Sequence, residues 1–405
     1  MPITRGAPGI GVYMAFGNKP TDPGFTFNTD ITKSVRTLHY RRGRTAILNQ
    51  IETGGGDAIL NDSDRRFDPN NTASVYYPNV EPLKPIQATA ALAGQTYYLM
   101  THFVGRWPRK RIGRNYAERG ITTVDGFDLL SLAGVAGKSY SSSLTGAMIA
   151  SILNDANWPT ALRRIAAGAS AIAAQTFASS DSTKALPLLQ SIVGPGGENG
   201  LFFIDGRGYA VFLDRHSQFG PPYNTSQATF TDIVTIPGEF PVTDIVPSSD
   251  KDLIYDDWSG TRPSSGTQEA FDPTSILKYG RRSKQITSLL TTDSETLASM
   301  QYSLSIYKNP LQRIESITIK PGDYVELWQQ CLQREIGDRI TVKEHPPGGG
   351  QADIRDYIIQ SIDAKFEIGP VGKAVYTWGL FPASASAFIL DDLVNGVLDT
   401  SALGY

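Results

Sequence analysis

Cysteine is almost absent. Cys331 is the only one in 405 residues, so no internal disulfide and no thiolate zinc cluster can form, and a reducing folding compartment is expected. No run of about 18 apolar residues occurs, which excludes a membrane-crossing helix. The opening Met1-Pro2-Ile3-Thr4-Arg5-Gly6 lacks the apolar core of a secretory signal, so export by that route is not expected. An excess of one charge is missing too. Lys and Arg number 37 against 40 Asp and Glu, a net charge of −3, which argues against broad coating of nucleic acid or an anionic membrane. Histidine is scarce, and His39, His102, His216 and His345 share no metal-ligand spacing.

Turn-formers and aromatics are plentiful. The chain has 39 Gly, 25 Pro, 17 Phe, 18 Tyr and 5 Trp, a bias towards short strands and many turns. With 40% hydrophobic and 19% charged residues it can build sizeable cores, and its length suggests roughly two to four domains.

Residues 8–135 read as β-rich. Strands are predicted at Tyr97–Val104, between Gly94 and Gly105, at Ile121–Val124, and at Asp57–Leu60 before the Asx-rich turn Asn61–Asp64. Residues 140–195 change character. Thr145 is placed as the cap of a helix carrying Ile149, Ile152 and Leu153 and ending near Trp158-Pro159. Ser182 or Thr183 is placed as the cap of a second helix, with Pro187 in its first turn and Leu188, Leu189, Ile192 and Val193 as its stripe. A hairpin follows, Leu201–Ile204 and Tyr209–Leu213 around Asp205-Gly206-Arg207-Gly208, because Asp-Gly suits tight turns. Residues 216–285 are turn-rich. Thr292-x-x-Glu295 opens a helix over 293–308 with Leu297, Met300, Leu304 and Tyr307 at helical spacing. Strands are then predicted at Arg313–Ile319, Arg339–Val342, Tyr357–Ile362 and Val375–Trp378, a second β block over 310–382. The last segment, 383–405, reads as an extended arm that at about 3.3 Å per residue spans several tens of ångströms. No fixed-period repeat is visible.

Chemistry-bearing motifs fail one by one. Gly134-Val135-Ala136-Gly137-Lys138-Ser139 resembles a phosphate loop, but Leu132 stands where the motif needs its first glycine. Gly194–Gly200 lies between helix and strand, the reverse of a dinucleotide fingerprint. Asp256-Asp257 and Asp391-Asp392 are neighbours whose side chains diverge on a strand. Asp214-Arg215-His216 has no Gly-x-Ser-x-Gly partner. No catalytic, metal or cofactor set emerges, which favours a binding or architectural role over an enzyme. Two basic clusters stand out: Arg41-Arg42-Gly43-Arg44, and Arg106, Arg109, Lys110, Arg111 and Arg114, with Tyr40, Trp107 and Tyr116 among them. They read either as contacts to phosphate or an acidic partner, or as solvated loops pairing with turns such as Asp62 and Asp64.

Several stretches carry a resemblance. They are Arg42-Gly43-Arg44-Thr45, then Gly54–Asn70 with its Asn61-x-x-x-Arg65-Arg66-Phe67-Asp68-Pro69 turn, and Tyr76-Tyr77-Pro78 with Pro82 and Pro85. Phe103-Val104-Gly105, Trp158-Pro159, the hairpin at 201–213, Tyr279-Gly280-Arg281-Arg282, Asn309-Pro310, Ile336–Val342 and Phe388–Asp392 continue the series in order. Lys84 and Gln87 depart from it, where a small residue and an arginine are usual. Together these stretches resemble the minor tail proteins that form the hub of the tail tip in long-tailed bacteriophages, especially those of actinobacterial hosts.

The resemblance implies a β-rich α+β chain with two tail-tube-like β-barrel domains, 1–135 and 310–382. Between them it implies a helical and hairpin domain at 136–230 and a turn-rich segment with a connecting helix at 231–309, and after them the arm at 383–405. It implies a homotrimer that adapts a six-fold tube to a three-fold tip. The implied partners are the distal tail protein ring, the tape measure protein's C-terminus, and other minor tail or receptor-binding proteins. DNA passes through transiently; no stable nucleic-acid binding, membrane insertion or cofactor is implied. The implied place is the virion's tail tip, assembled in the host cytoplasm. Arg41, Arg42, Arg44, Arg106, Arg109, Lys110, Arg111 and Arg114 then become candidate partner or lumen contacts. Phe388, Ile389, Leu390, Val394, Val397 and Leu398 are too apolar for a free tail and are expected to dock on another chain or domain. The rival expectations are a distal tail protein in a hexameric ring, a tail-borne cell-wall hydrolase, and a glycan-binding receptor module.

Overall fold

A computed structural model describes residues 6–44, 52–113, 116–249, 253–263, 265–310, 312–369 and 373–383. Arg114 and the arm residues Phe388, Ile389, Leu390, Val394, Val397 and Leu398 lie outside these. The fold is β-rich, with most strands joined in one large, mainly antiparallel sheet.

That sheet contains two ladders, each returning to its own start. In the first, the passage 29–43 begins beside Gly9–Met14, turns once through a 3-10 helix at Thr32–Ser34, and continues as the strand Val35–Gly43 beside Gly55–Asn61. Ala117–Val124, Gln95–Arg106 and Pro85–Leu92 complete the round back to Gly9–Met14, every pair antiparallel. In the second, the passage 239–249 begins parallel to Thr229–Thr231 and from Asp244 runs antiparallel to Gln312–Ile319. Lys373–Pro382, Asp353–Glu367 and Arg339–Glu344 lead back to Thr229–Thr231. One passage thus occupies both ends of each ladder, which covers edges that would otherwise expose unpaired backbone groups. The strand Thr229–Thr231 spans the boundary drawn at 230/231, so the second circuit takes strands from before and after the connecting helix.

Strand-like alternation explains which residues turn inward. Along Lys373–Pro382, Ala374, Tyr376, Trp378 and Leu380 are buried and the residues between them are not. The two circuits are fused through Asp353–Glu367. The early part of this strand pairs with Arg339–Glu344, and Ser361–Glu367 pairs with Gly43–Thr37. Gly43 sits at the handover with φ +98°, and a Cβ there would stand 2.1 Å from the Gln360 carbonyl oxygen, so only glycine fits.

The sequence reading missed a helix, Val325–Gln333, within the second β block. Its Leu327, Trp328, Cys331 and Leu332 are buried, Trp328 meets Tyr376 edge to face at 6.3 Å, and the helix packs on Pro85–Leu92 and Gln95–Arg106 of the first circuit. It is a plug between the circuits.

The predicted central helices occur as Thr145–Asp155, Ala185–Val193 and Asp293–Tyr307. Two of the caps differ from expectation. Thr145 is already inside its helix, and its hydroxyl donates to the buried Glu198 carboxylate at 2.9 Å. Ala185–Val193 has no side-chain cap; Asp181 instead takes hydrogen bonds from Thr183. The third helix is capped as predicted, Thr292 Oγ1 accepting from the Glu295 amide. It covers a small sheet of Asp257–Thr261, Thr267–Phe271 and Ser283–Thr287 that was not foreseen. In the hairpin the left-handed residue is Gly208, φ +86°, rather than Gly206, because Asp205 Oδ1 gathers the amides of Arg207 and Tyr209. Among the described residues no helix is long and apolar enough to cross a membrane.

Candidate interaction site

The arginines at 41, 42 and 44 read as one cluster, but the structure sends them three ways. Strand alternation puts Arg41 and Arg42 on opposite faces, and the left-handed Gly43 turns Arg44 out of the alternation.

Arg42 is 4% exposed. Its guanidinium pairs with Glu335 Oε1 at 2.7 Å and donates to the Ile204 carbonyl at 3.4 Å, while Glu335 Oε2 accepts the Gly206 amide at 3.3 Å. Arg42 therefore clamps the first circuit to the hairpin and to the second circuit. Assigning it as a partner or lumen contact is incorrect: a side chain at this depth is consumed by the fold. Burial against Leu38 and Tyr40 on the same strand face is the sequence pattern that separates it from its neighbours.

Arg41 lies on the outer face, on the rim of a shallow depression of about 280 Å³ that also includes His39 and Asp57. His39 bridges three strands, its Nδ1 at 3.0 Å from Asp57 and its Nε2 at 3.2 Å from Asp363. The Asp363 contact, helped by Asp57 against the opposing effect of burial, raises the imidazole pKa. The protonated ring can donate to both carboxylates at once.

Arg44 lines a cavity of about 150 Å³ where the first circuit, the hairpin, the helix Asp293–Tyr307 and the second circuit meet. Its Nε donates to Gln360 Oε1 at 2.8 Å. Burial pulls its pKa down to about 10.

The second cluster is divided by Trp107, which is buried and donates through Nε1 to the Glu81 carbonyl at 2.8 Å. Its ring stacks on Phe67 at 6.1 Å, and Phe67 stacks on Tyr76 at 5.4 Å. Beneath the cluster lies an ion pair that the sequence reading missed: Arg119 meets Asp62 at 2.9 Å, with side chains 3% and 0% exposed. Arg119 also donates to the Trp107 carbonyl at 2.6 Å. Its alternation with the buried Ile121 was the available signal. Arg109 reaches Asp68 at 3.3 Å, so it serves the loop as well as the surface. Arg106, Lys110 and Arg111 are exposed, with Arg111 bonding the Gly113 carbonyl and Ile112 exposed beside it. Arg106, Arg109, Lys110 and Arg111 thus lie exposed along one edge of the first circuit, with Arg109 and Arg111 on one face of their short strand and Lys110 on the other.

The architecture is that of solved tail proteins. The tail protein from Neisseria meningitidis MC58 matches with a TM-score of 0.56 at 13% identity, covering 92% of this chain and 97% of that one. The 43 kDa tail protein of prophage MuSo2 from Shewanella oneidensis matches with a TM-score of 0.54 at 14% identity, covering 91% and 97%. At these identities the likeness is one of fold. No protein-family model matches the chain, and no curated protein matches it by sequence.

Proposed function

We propose that this chain is a non-enzymatic structural protein of a phage tail, the trimeric hub at the tail's distal end, of the kind found in long-tailed phages of actinobacteria. One observation carries the reading: a single chain holds two closed strand circuits of like construction, fused through the shared strand Asp353–Glu367. Read as two tube-like barrels, the first within 1–135 and the second built on 310–382 with strands from 229–249, they let three chains present six similar units to a six-fold tube. The fold shared with two tail proteins supports this reading.

In this role the hub meets the distal tail protein ring on one side and other minor tail or receptor-binding proteins on the other. It holds the tape measure protein's C-terminus and lines the path of the ejected DNA. Assembly takes place in the host cytoplasm, and the finished protein resides at the virion's tail tip. The exposed edge of Arg106, Arg109, Lys110 and Arg111 faces a neighbouring ring, since a DNA path works best with weak contacts to its cargo. Reversing Lys110 and Arg111 to glutamate is expected to block tip assembly while leaving the folded chain intact by circular dichroism; normal tips from this variant would remove the edge from the interface. The reading as a whole is tested by averaging isolated tail tips by electron microscopy. Three copies of the chain per tip are expected, whereas six copies in one ring would identify the distal tail protein instead.

A further inference from the structure

The cavity beside Arg44 is chemically incomplete. Its guanidinium donates to a neutral amide, Gln360, and among the described residues no carboxylate pairs with it. Asp214, on the same wall, is turned to Ser217 at 3.0 Å. Arg44 is half-buried, and a cation drawn partly out of water without an acid beside it is commonly completed by a counter-ion. The rest of the wall is largely apolar, including Leu201, Ile306, Tyr307 and Phe381. A cavity of about 150 Å³ accommodates something of benzene size, one large apolar side chain.

The location points to the occupant. Phe381 and Pro382 belong to the cavity lining, and the Ala383 amide donates to the Asp356 carbonyl at 2.9 Å as the described chain ends. The segment that follows has the complementary chemistry. Residues 384–405 contain Asp391, Asp392 and Asp399 and no lysine or arginine, and Phe388-Ile389-Leu390 precedes the first two acids directly. Leu390 is seven residues past Ala383, a reach of about 23 Å when extended, ample for a return to a cavity whose wall includes residue 382.

We infer that the Arg44 cavity is the docking site of the arm of the same chain, with one large apolar side chain of Phe388–Leu390 filling its apolar part and one carboxylate of the Asp391-Asp392 pair supplying the missing counter-ion. Such docking locks the junction of the two circuits and the inserted domains with a segment from the end of the second circuit. It stands independently of the hub reading, since it concerns one chain with itself.

Hydrogen exchange on the full-length protein tests it. In the wild type, amides of 386–394 are expected to exchange roughly tenfold or more slowly than an unstructured peptide, equally at high and low protein concentration. The arm variant D391N/D392N, which leaves the body's sequence untouched, and Arg44→Gln are each expected to abolish most of that slowing. Exchange in the strand Lys373–Pro382 is expected to stay unchanged in both, which excludes general unfolding. The charge swap R44E with D391K/D392K is expected to restore the protection. Free exchange of the arm in the wild type would overturn the inference. Protection lost on dilution would also overturn it, assigning the cavity to the arm of a second copy, and so would protection indifferent to both variants.

Discussion

The two circuits close alike and are filled differently. At buried strand positions the first carries mostly small and aliphatic side chains, Val12, Met14, Ala58, Ala88, Ala90 and Met100, with Tyr40 and Phe103 as the aromatic exceptions. Outside its ladder strands, Phe16, Phe67, Tyr76 and Trp107 stack on one another around the loop 62–84. The second circuit is aromatic within: Phe230 meets Trp378 edge to face at 5.2 Å, and Phe366 meets Tyr376 at 5.6 Å. Ladder closure is a backbone property that very different side-chain sets can satisfy, as long as polar and apolar residues alternate and the interior is filled. The likeness of the two circuits is therefore one of strand pairing, and it is absent from the sequence as a repeat.

The two interiors respond differently when each is disturbed in its own manner. Trp378→Ala empties a fully buried site and is expected to cost about 3–5 kcal/mol. Ala88→Leu overfills the first circuit and is expected to cost about 1–3 kcal/mol. Both are read by urea denaturation, and equal losses would mean that the interiors are not filled as described. Arg119→Met tests the loop that the first circuit holds outside its ladder. It leaves Asp62 buried and unpaired, with an expected loss of about 3–5 kcal/mol and rapid proteolysis within 62–84. The double variant with Asp62→Asn is expected to recover part of that loss, because no lone charge then remains. At the fusion point, Gly43→Ala must take φ +98° against the Gln360 carbonyl, and a loss of more than about 1 kcal/mol is expected.

The smallest effects come from two histidines with opposite behaviour. His102, inside the first circuit, is 1% exposed, and burial holds its pKa down to about 3. The unfolded chain, with a value of about 6.5, takes up the proton first, so His102 lowers stability as pH falls from about 6.5 towards about 3. His39, between the circuits, has its pKa raised by Asp363 and Asp57. Its stabilisation is complete below about pH 6.5 and fades as pH rises through the raised value. Unfolding measured between about pH 5 and 8 is expected to show a loss on the alkaline side that His39→Gln removes and an acid-side loss that it leaves in place. An unchanged alkaline limb in that variant would detach His39 from the fusion of the circuits.

Much of the fold was legible where one local rule dominates. Thr292-x-x-Glu295 marked its helix because an N-cap is a local hydrogen bond, and Tyr97–Val104 marked its strand because β-branched and aromatic residues crowd there. The helix Val325–Gln333 escaped notice because it is short and set among strands, and its meaning lies in two surfaces that meet only in three dimensions. The basic clusters were legible as composition but not as geometry. Residues 41, 42 and 44 are neighbours in sequence, yet strand alternation and one left-handed glycine divide them among the outer face, the core and a cavity. Glu335 lies 293 residues from Arg42, and nothing local could have paired them.

The proposed use of two like circuits in each of three chains is measured most directly by the rotational symmetry of the assembled particle around this chain. Three chains placing six circuits in a ring is the predicted result; a ring of six chains, each contributing one circuit to it, would contradict it.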